Sequence, residues 1–187
     1  MKIAILIISS CLLLAGCKTT TDTNDNQEVL DEITRLISLT SLEKPADFEK
    51  LEGMLEDDHA KDELHEIEAM VKYKEYLHAT HGLNFMASYI KSGKETLCPA
   101  HALAHYYVFM KHGEDDLAEE GLEEAKNQVE EWVPAAKEFN EKYPSGQSVG
   151  ELSQRINSYL ESIDKGNSTI TDDEINALAN NGICVEE

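Results

Sequence analysis

The stretch that most limits how this chain can fold is Leu97 to Gly113, LCPAHALAHYYVFMKHG. It is the most apolar segment after the N-terminus, yet it carries a cysteine and three of the seven histidines. Pro99 suits a first helical turn, where a missing N–H costs nothing, and Gly113 stands where a left-handed C-terminal cap is wanted. At about 100° per residue, His101, His105, Val108 and His112 fall within an arc of roughly 60°. Alanine, leucine and aromatic residues cover the rest, broken only by Lys111. A helix that is apolar round most of its girth is a buried one. The spacing therefore predicts a central helix whose polar stripe is largely histidine.

The remaining segments have helical periodicity. Val29, Leu30, Ile33, Leu36 and Ile37 mark a helix over 26–42, and Pro45 opens a short one with Phe48, Leu51, Met54 and Leu55 facing in. A longer helix is expected over 60–80, capped by Gly82, and a short one over 83–91, closed by Gly93. From Asp115 to Tyr143, apolar residues including Leu122, Ala125, Val129, Trp132 and Phe139 recur at helical spacing, with a kink or restart expected at Pro134. Ser148 and Glu151 open another helix as a capping box, and Thr171 and Glu174 open the last one. Alternating runs rich in Val, Ile and Thr are missing. These features predict an all-α fold, a single bundle of about seven or eight helices over residues 27–187.

The first residues read differently. Lys2 and the apolar run Ile3 to Leu14 form a secretory signal, too short to span a bilayer. Leu14-Ala15-Gly16-Cys17 resembles the lipobox of bacterial lipoproteins. The resemblance implies cleavage after Gly16, a diacylglyceryl thioether on Cys17 and acylation of the new N-terminus with a palmitate-type chain. Lys18 stands where lipoproteins kept in the inner membrane often carry Asp, which implies the periplasmic face of the outer membrane. Residues 17–26 then read as a lipidated polar tether.

Charge excludes several functions. The formal net charge is −21, which argues against binding nucleic acid or anionic lipid and leaves cationic partners or metal ions. Cys11 leaves with the signal and Cys17 carries lipid, so Cys98 and Cys184 remain. In an oxidising compartment such a pair is expected to form a disulfide, which would pin the C-terminal tail to the start of the central helix.

Two constellations bear on metals. His78 and His81 are three residues apart, and His101 and His105 four apart; each spacing puts two imidazoles on one helix face. Two such pairs on packed helices would offer four ligands to a transition metal or to haem iron. The other reading is a polar stripe at the rim of the core. The segment Ile163 to Ile175 resembles an EF-hand calcium loop, with an apolar residue before Asp164, Ile170 in the central position and Glu174 closing it. The resemblance implies Asp164, Asn167, the Thr169 carbonyl and Glu174 as ligands. The loop is one residue short, however, and Ser168 replaces the turn glycine. Its alternative is a plain helix-turn-helix capped by Thr171. The central helix and its successor also resemble, weakly, a tetratricopeptide-type hairpin, with Gly113 at the turn and Ala118 and Ala125 as small packing residues. No repeat of about 34 residues follows.

Signatures of catalysis are lacking: there is no GxSxG, no Gly-rich phosphate loop, no HExxH and no acid/base pair at a recognisable spacing. The chain thus reads as non-enzymatic, with no required cofactor and no evident small-molecule substrate. The leading expectation is a lipid-anchored periplasmic module that binds a protein in the envelope as an accessory, adaptor or immunity-type subunit. The alternative is a metal-binding protein.

Overall fold

A computed structural model describes residues 22–144, 146–167 and 169–186. Its centre is α5 (Pro99–His112), where every residue from Pro99 to Phe109 is buried. Pro99 occupies the first turn, and Gly113 caps the helix in the left-handed region at φ 75°. The chain then folds back as α6 (Asp115–Lys142). Three small buried residues on α6, Ala118, Gly121 and Ala125, let the two backbones approach closely. A Cβ on Gly121 would stand 3.1 Å from both the Ala102 carbonyl oxygen and the Tyr106 nitrogen. The two small packing residues expected on α6 are therefore joined by a third.

The helical backbone continues through Pro134, without the restart the sequence suggested. Proline removes one helical hydrogen bond, but Trp132 and Ala136 on either side are both fully buried and hold the helix to the core.

The other helices wrap this hairpin: α1 (Asp22–Ser41), α2 (Glu49–Glu52), α3 (Asp58–Lys72), α4 (Tyr76–Ser92), α7 (Val149–Asp164) and α8 (Asp172–Asn180). Eight helices among the described residues make the fold all-α, as expected. Helix α1 begins at Asp22, inside the stretch read as a tether. The helix expected over 60–80 is two helices. It breaks at Tyr73–Glu75, where Lys74 takes a positive φ of 65° and the Glu75 N–H returns to the Met70 carbonyl. Gly82 is consequently not a cap. It lies within α4, where a Cβ would come within 2.8 Å of Ile67 Cγ1, so it serves close packing of α3 on α4. Gly93 does cap α4, at φ 68°. Thr171 and Glu174 form a complete capping box on α8.

Cys98 and Cys184 are joined by a disulfide across a sequence separation of 86. Beside it, β1 (Thr96–Leu97) pairs antiparallel with β2 (Val185–Glu186). Two-residue strands have no periodicity to read, so no residue pattern announces them. The Trp132 indole N–H donates to the Ile183 carbonyl, so disulfide, ladder and indole together fix the C-terminal segment to the start of α5.

Candidate functional site: a histidine cleft rimmed by carboxylates

Helices α3, α4, α5 and α6 leave a cleft of about 50 Å³ between them. Its floor comes from α5. His101 and His105, one turn apart, share the narrow polar arc of an otherwise apolar helix and are only 4 % and 7 % exposed. Their ring centroids are 4.1 Å apart, edge to face. On α3, Glu63 lines the cleft, and Glu66, three residues on, reaches His105. Glu124 arrives from α6, Glu95 from the α4–β1 link, and Phe85 and Tyr89 of α4 supply aromatic wall.

Hydrogen bonds position part of this set. His105 Nδ1 is 3.2 Å from Glu66 Oε2. The Cys98 N–H donates to Gln128 Oε1 at 2.7 Å, and Gln128 Nε2 donates to Glu124 Oε1 at 2.6 Å. Glu124 is thereby tied to the disulfide-linked start of α5. At the cleft, three buried imidazole nitrogens have no hydrogen-bond partner, both of His101 and Nε2 of His105; His78 Nδ1 and the Tyr107 hydroxyl are likewise unpartnered elsewhere. Leaving a buried polar group unpaired costs about 1–3 kcal/mol, so their concentration at one cleft is a mark of a site rather than of a resting core.

The electrostatics agree. Burial pushes the Glu63 carboxyl up to about 8, helped by the negative charges of Glu66 and Glu124. Glu124 stands at the exposed rim, and partial desolvation there, with the charge of Glu66, raises it too. His101 is held well below the ordinary imidazole range by burial and by neighbouring His105, so at neutral pH it offers a bare acceptor lone pair. Burial works against the charged form of His105 too, but the bond to Glu66 and the nearby carboxylates outweigh it and its pKa rises. Among the described residues no lysine or arginine lines the cleft. Carboxylates crowded without a matching cation make an entering positive group favourable.

The structure brings together only part of the histidine set expected to ligate a metal. His81, His101 and His105 lie in a row, with ring centroids 5.6 Å apart for the first pair. His78 instead faces a separate depression with Glu75, Lys111 and Asp172; burial holds it down to about 4. Among the described residues, no three His, Cys, Asp or Glu side chains are grouped so as to hold a metal ion. That applies equally to the loop resembling an EF-hand. Asp164 pairs with Lys126 at 2.9 Å, and the Glu174 carboxylate accepts from the Thr171 backbone N–H at 2.9 Å as the capping box. Asn167 and Thr169 lie in the turn between these two engaged carboxylates. Cys17 lies outside the described residues.

Sequence reasoning missed Glu63, Glu66 and Glu124. Their signal was the flanking of an apolar stripe by acids, and in a chain with 37 acidic residues it does not stand out. A second feature also went unforeseen. Phe139 and Tyr143, 41 % and 57 % exposed, have ring centroids 5.1 Å apart and line an open groove of about 590 Å³ with Ala135 and Val185. Phe85 and Thr96 line both groove and cleft. Comparison with protein-family models, curated proteins and solved structures finds no match to this chain.

Proposed function

We propose that the chain is a lipid-anchored module of the bacterial envelope that binds a partner protein presenting basic and apolar side chains side by side. The observation that carries this reading is the shared wall of Phe85 and Thr96, which sets an acid-rimmed cleft and an exposed aromatic groove side by side. Exposed aromatic pairs beside charged pockets are the usual anchors of protein interfaces. The net charge of −21 favours a cationic partner by steering encounter as well as by contact. Leu14-Ala15-Gly16-Cys17 supports the anchor, and Lys18 supports the periplasmic face of the outer membrane.

A photo-crosslinking residue placed at position 95 or 139 of the lipidated protein tests this, with exposed position 157 on α7 as control. The proposal expects positions 95 and 139 to capture the same envelope protein and position 157 to miss it. Capture from none of them, or equally from all three, would contradict it.

The unpartnered nitrogens of His101 and His105 favour a second reading, a transition-metal protein. Its check is metal content after purification without chelator. Stoichiometric zinc, copper or iron, lost when both histidines become alanine, would put this reading first.

A further inference from the structure

We infer that the cleft receives the terminal ammonium or guanidinium of a lysine or arginine side chain of the partner, held by Glu63, Glu124 and His101. This deepens the protein-binding reading and rests on it.

Three observations converge. The first is the unpartnered imidazole of His101, more than nine-tenths buried on the cleft floor. A neutral imidazole accepts one hydrogen bond, and a cationic N–H is the donor that would make the strongest one there. The second is the carboxylate arrangement. Gln128 bonds Glu124, and Glu63 lines the same cleft with no lysine or arginine among the lining residues. The third is size and wall. About 50 Å³ admits a head group but not a ring, and the aromatic side chains of Phe85 and Tyr89 are part of the lining.

A metal ion fits less well. It needs three or four donors converging at about 2.0–2.3 Å, and no such group exists among the described residues. An ammonium or guanidinium accepts looser geometry, at donor–acceptor distances of about 2.7–3.2 Å.

Uptake of the cation is linked to protons. Glu63 is faced by Glu66 and His59 of its own helix, Tyr89 of α4, Glu95 of the following link, His101 and His105 of α5, and Glu124 of α6. Among these, the His105 imidazole is held toward its charged form, and it is hydrogen-bonded to Glu66 rather than to Glu63. A bound cation stabilises ionised Glu63, so binding releases protons and tightens as pH rises. Affinity that follows the ionised fraction of Glu63 weakens about fivefold from pH 8 to pH 7 and about tenfold for each further pH unit.

Calorimetric and NMR titration of the folded protein tests this with five probes: Nα-acetyl-lysine methylamide, its uncharged norleucine analogue, n-butylammonium, the peptide acetyl-Phe-Lys-Leu-amide, and zinc chloride. The expected result is that the lysine probe binds and the norleucine analogue does not. Binding should weaken about fivefold from pH 8 to pH 7 and at least tenfold in Glu63→Gln and Glu124→Gln, each checked for folding by circular dichroism. The peptide should bind at least tenfold tighter than n-butylammonium because it also reaches the groove. Equal affinity of peptide and n-butylammonium would overturn the assignment in favour of a free amine. Stoichiometric zinc binding that excludes the lysine probe would overturn it in favour of a metal. No binding by any probe would overturn it outright. Partner crosslinking that persists undiminished in Glu63→Gln would leave the protein-binding reading standing and remove this one.

Discussion

His105 on α5 and Glu66 on α3 share a hydrogen bond of 3.2 Å at the back of the cleft, with 9 % and 21 % of their side-chain surfaces exposed. The bond joins two helices that the sequence places 39 residues apart, and it leaves His105 Nε2 without a partner. It also explains why a nearly buried imidazole keeps a raised pKa.

Glu66→Gln removes the charge that holds the His105 proton. The variant is expected to lose about 1–3 kcal/mol, the range for a charge-assisted bond. Because the folded pKa of His105 is raised, its contribution is fully present below the ordinary imidazole value and fades as pH rises through the folded value. The difference between wild type and variant should therefore shrink from pH 6 to pH 9 in urea unfolding. An NMR titration of His105 should show its pKa falling in the variant.

Glu63 acts in the same direction through a different group. Its folded pKa of about 8 exceeds the ordinary 4.5, so the folded state loses stability as pH rises across that window. Glu63→Gln removes the loss. The variant should match wild type near pH 4 and gain about 1–3 kcal/mol at pH 8, after discounting for solvent at the cleft mouth. Thermal unfolding at the two pH values distinguishes this from a uniform effect.

Gly121 sets the approach of α5 and α6. Gly121→Ala brings a Cβ to 3.1 Å from two backbone atoms of α5, and neither atom has a flexible end that can move aside. A cost of about 1–3 kcal/mol is expected, despite the better helix propensity of alanine. Gly53, where a Cβ meets nothing nearer than 3.5 Å, is the control and should tolerate alanine. Urea midpoints measure both.

Trp132 is fully buried and bonds the C-terminal segment through Ile183. Trp132→Phe keeps most of the volume and should cost about 1–2 kcal/mol for the lost bond. Trp132→Ala should cost about 3–5 kcal/mol. Reducing Cys98–Cys184 should lower stability separately, by up to about 4–5 kcal/mol in the chain-entropy model. Loss of the disulfide and of the indole bond should not add fully, because both hold the same segment. Circular dichroism melts of the four combinations test the coupling.

Much of this fold could be read from residue types. A segment with no polar face except histidine can only be central, and Leu97 to Gly113 is. Gly113 and Gly93 end helices where left-handed caps were expected, and the Thr171 box opens α8. The two leftover cysteines could pair only with each other. What escaped detection has no residue signature. The break at Lys74 is built from ordinary helix formers, and a positive φ at lysine is invisible in sequence. Pro134 does not restart the helix, because its buried neighbours outweigh one missing bond. The cleft was half legible. His101 and His105 announce themselves on an apolar helix, whereas Glu63, Glu66 and Glu124 are three acids among many. Only tertiary packing, which no local pattern encodes, selects them.

The most direct measurement is the titration of the Glu63 carboxyl, followed by carbon-13 NMR with and without saturating Nα-acetyl-arginine methylamide. In the free protein its midpoint should lie near 8, and with the probe it should fall by at least one pH unit as a cation replaces the proton. A midpoint that stays put while the probe is saturating, or a free carboxyl that titrates at the ordinary 4.5, would contradict the account.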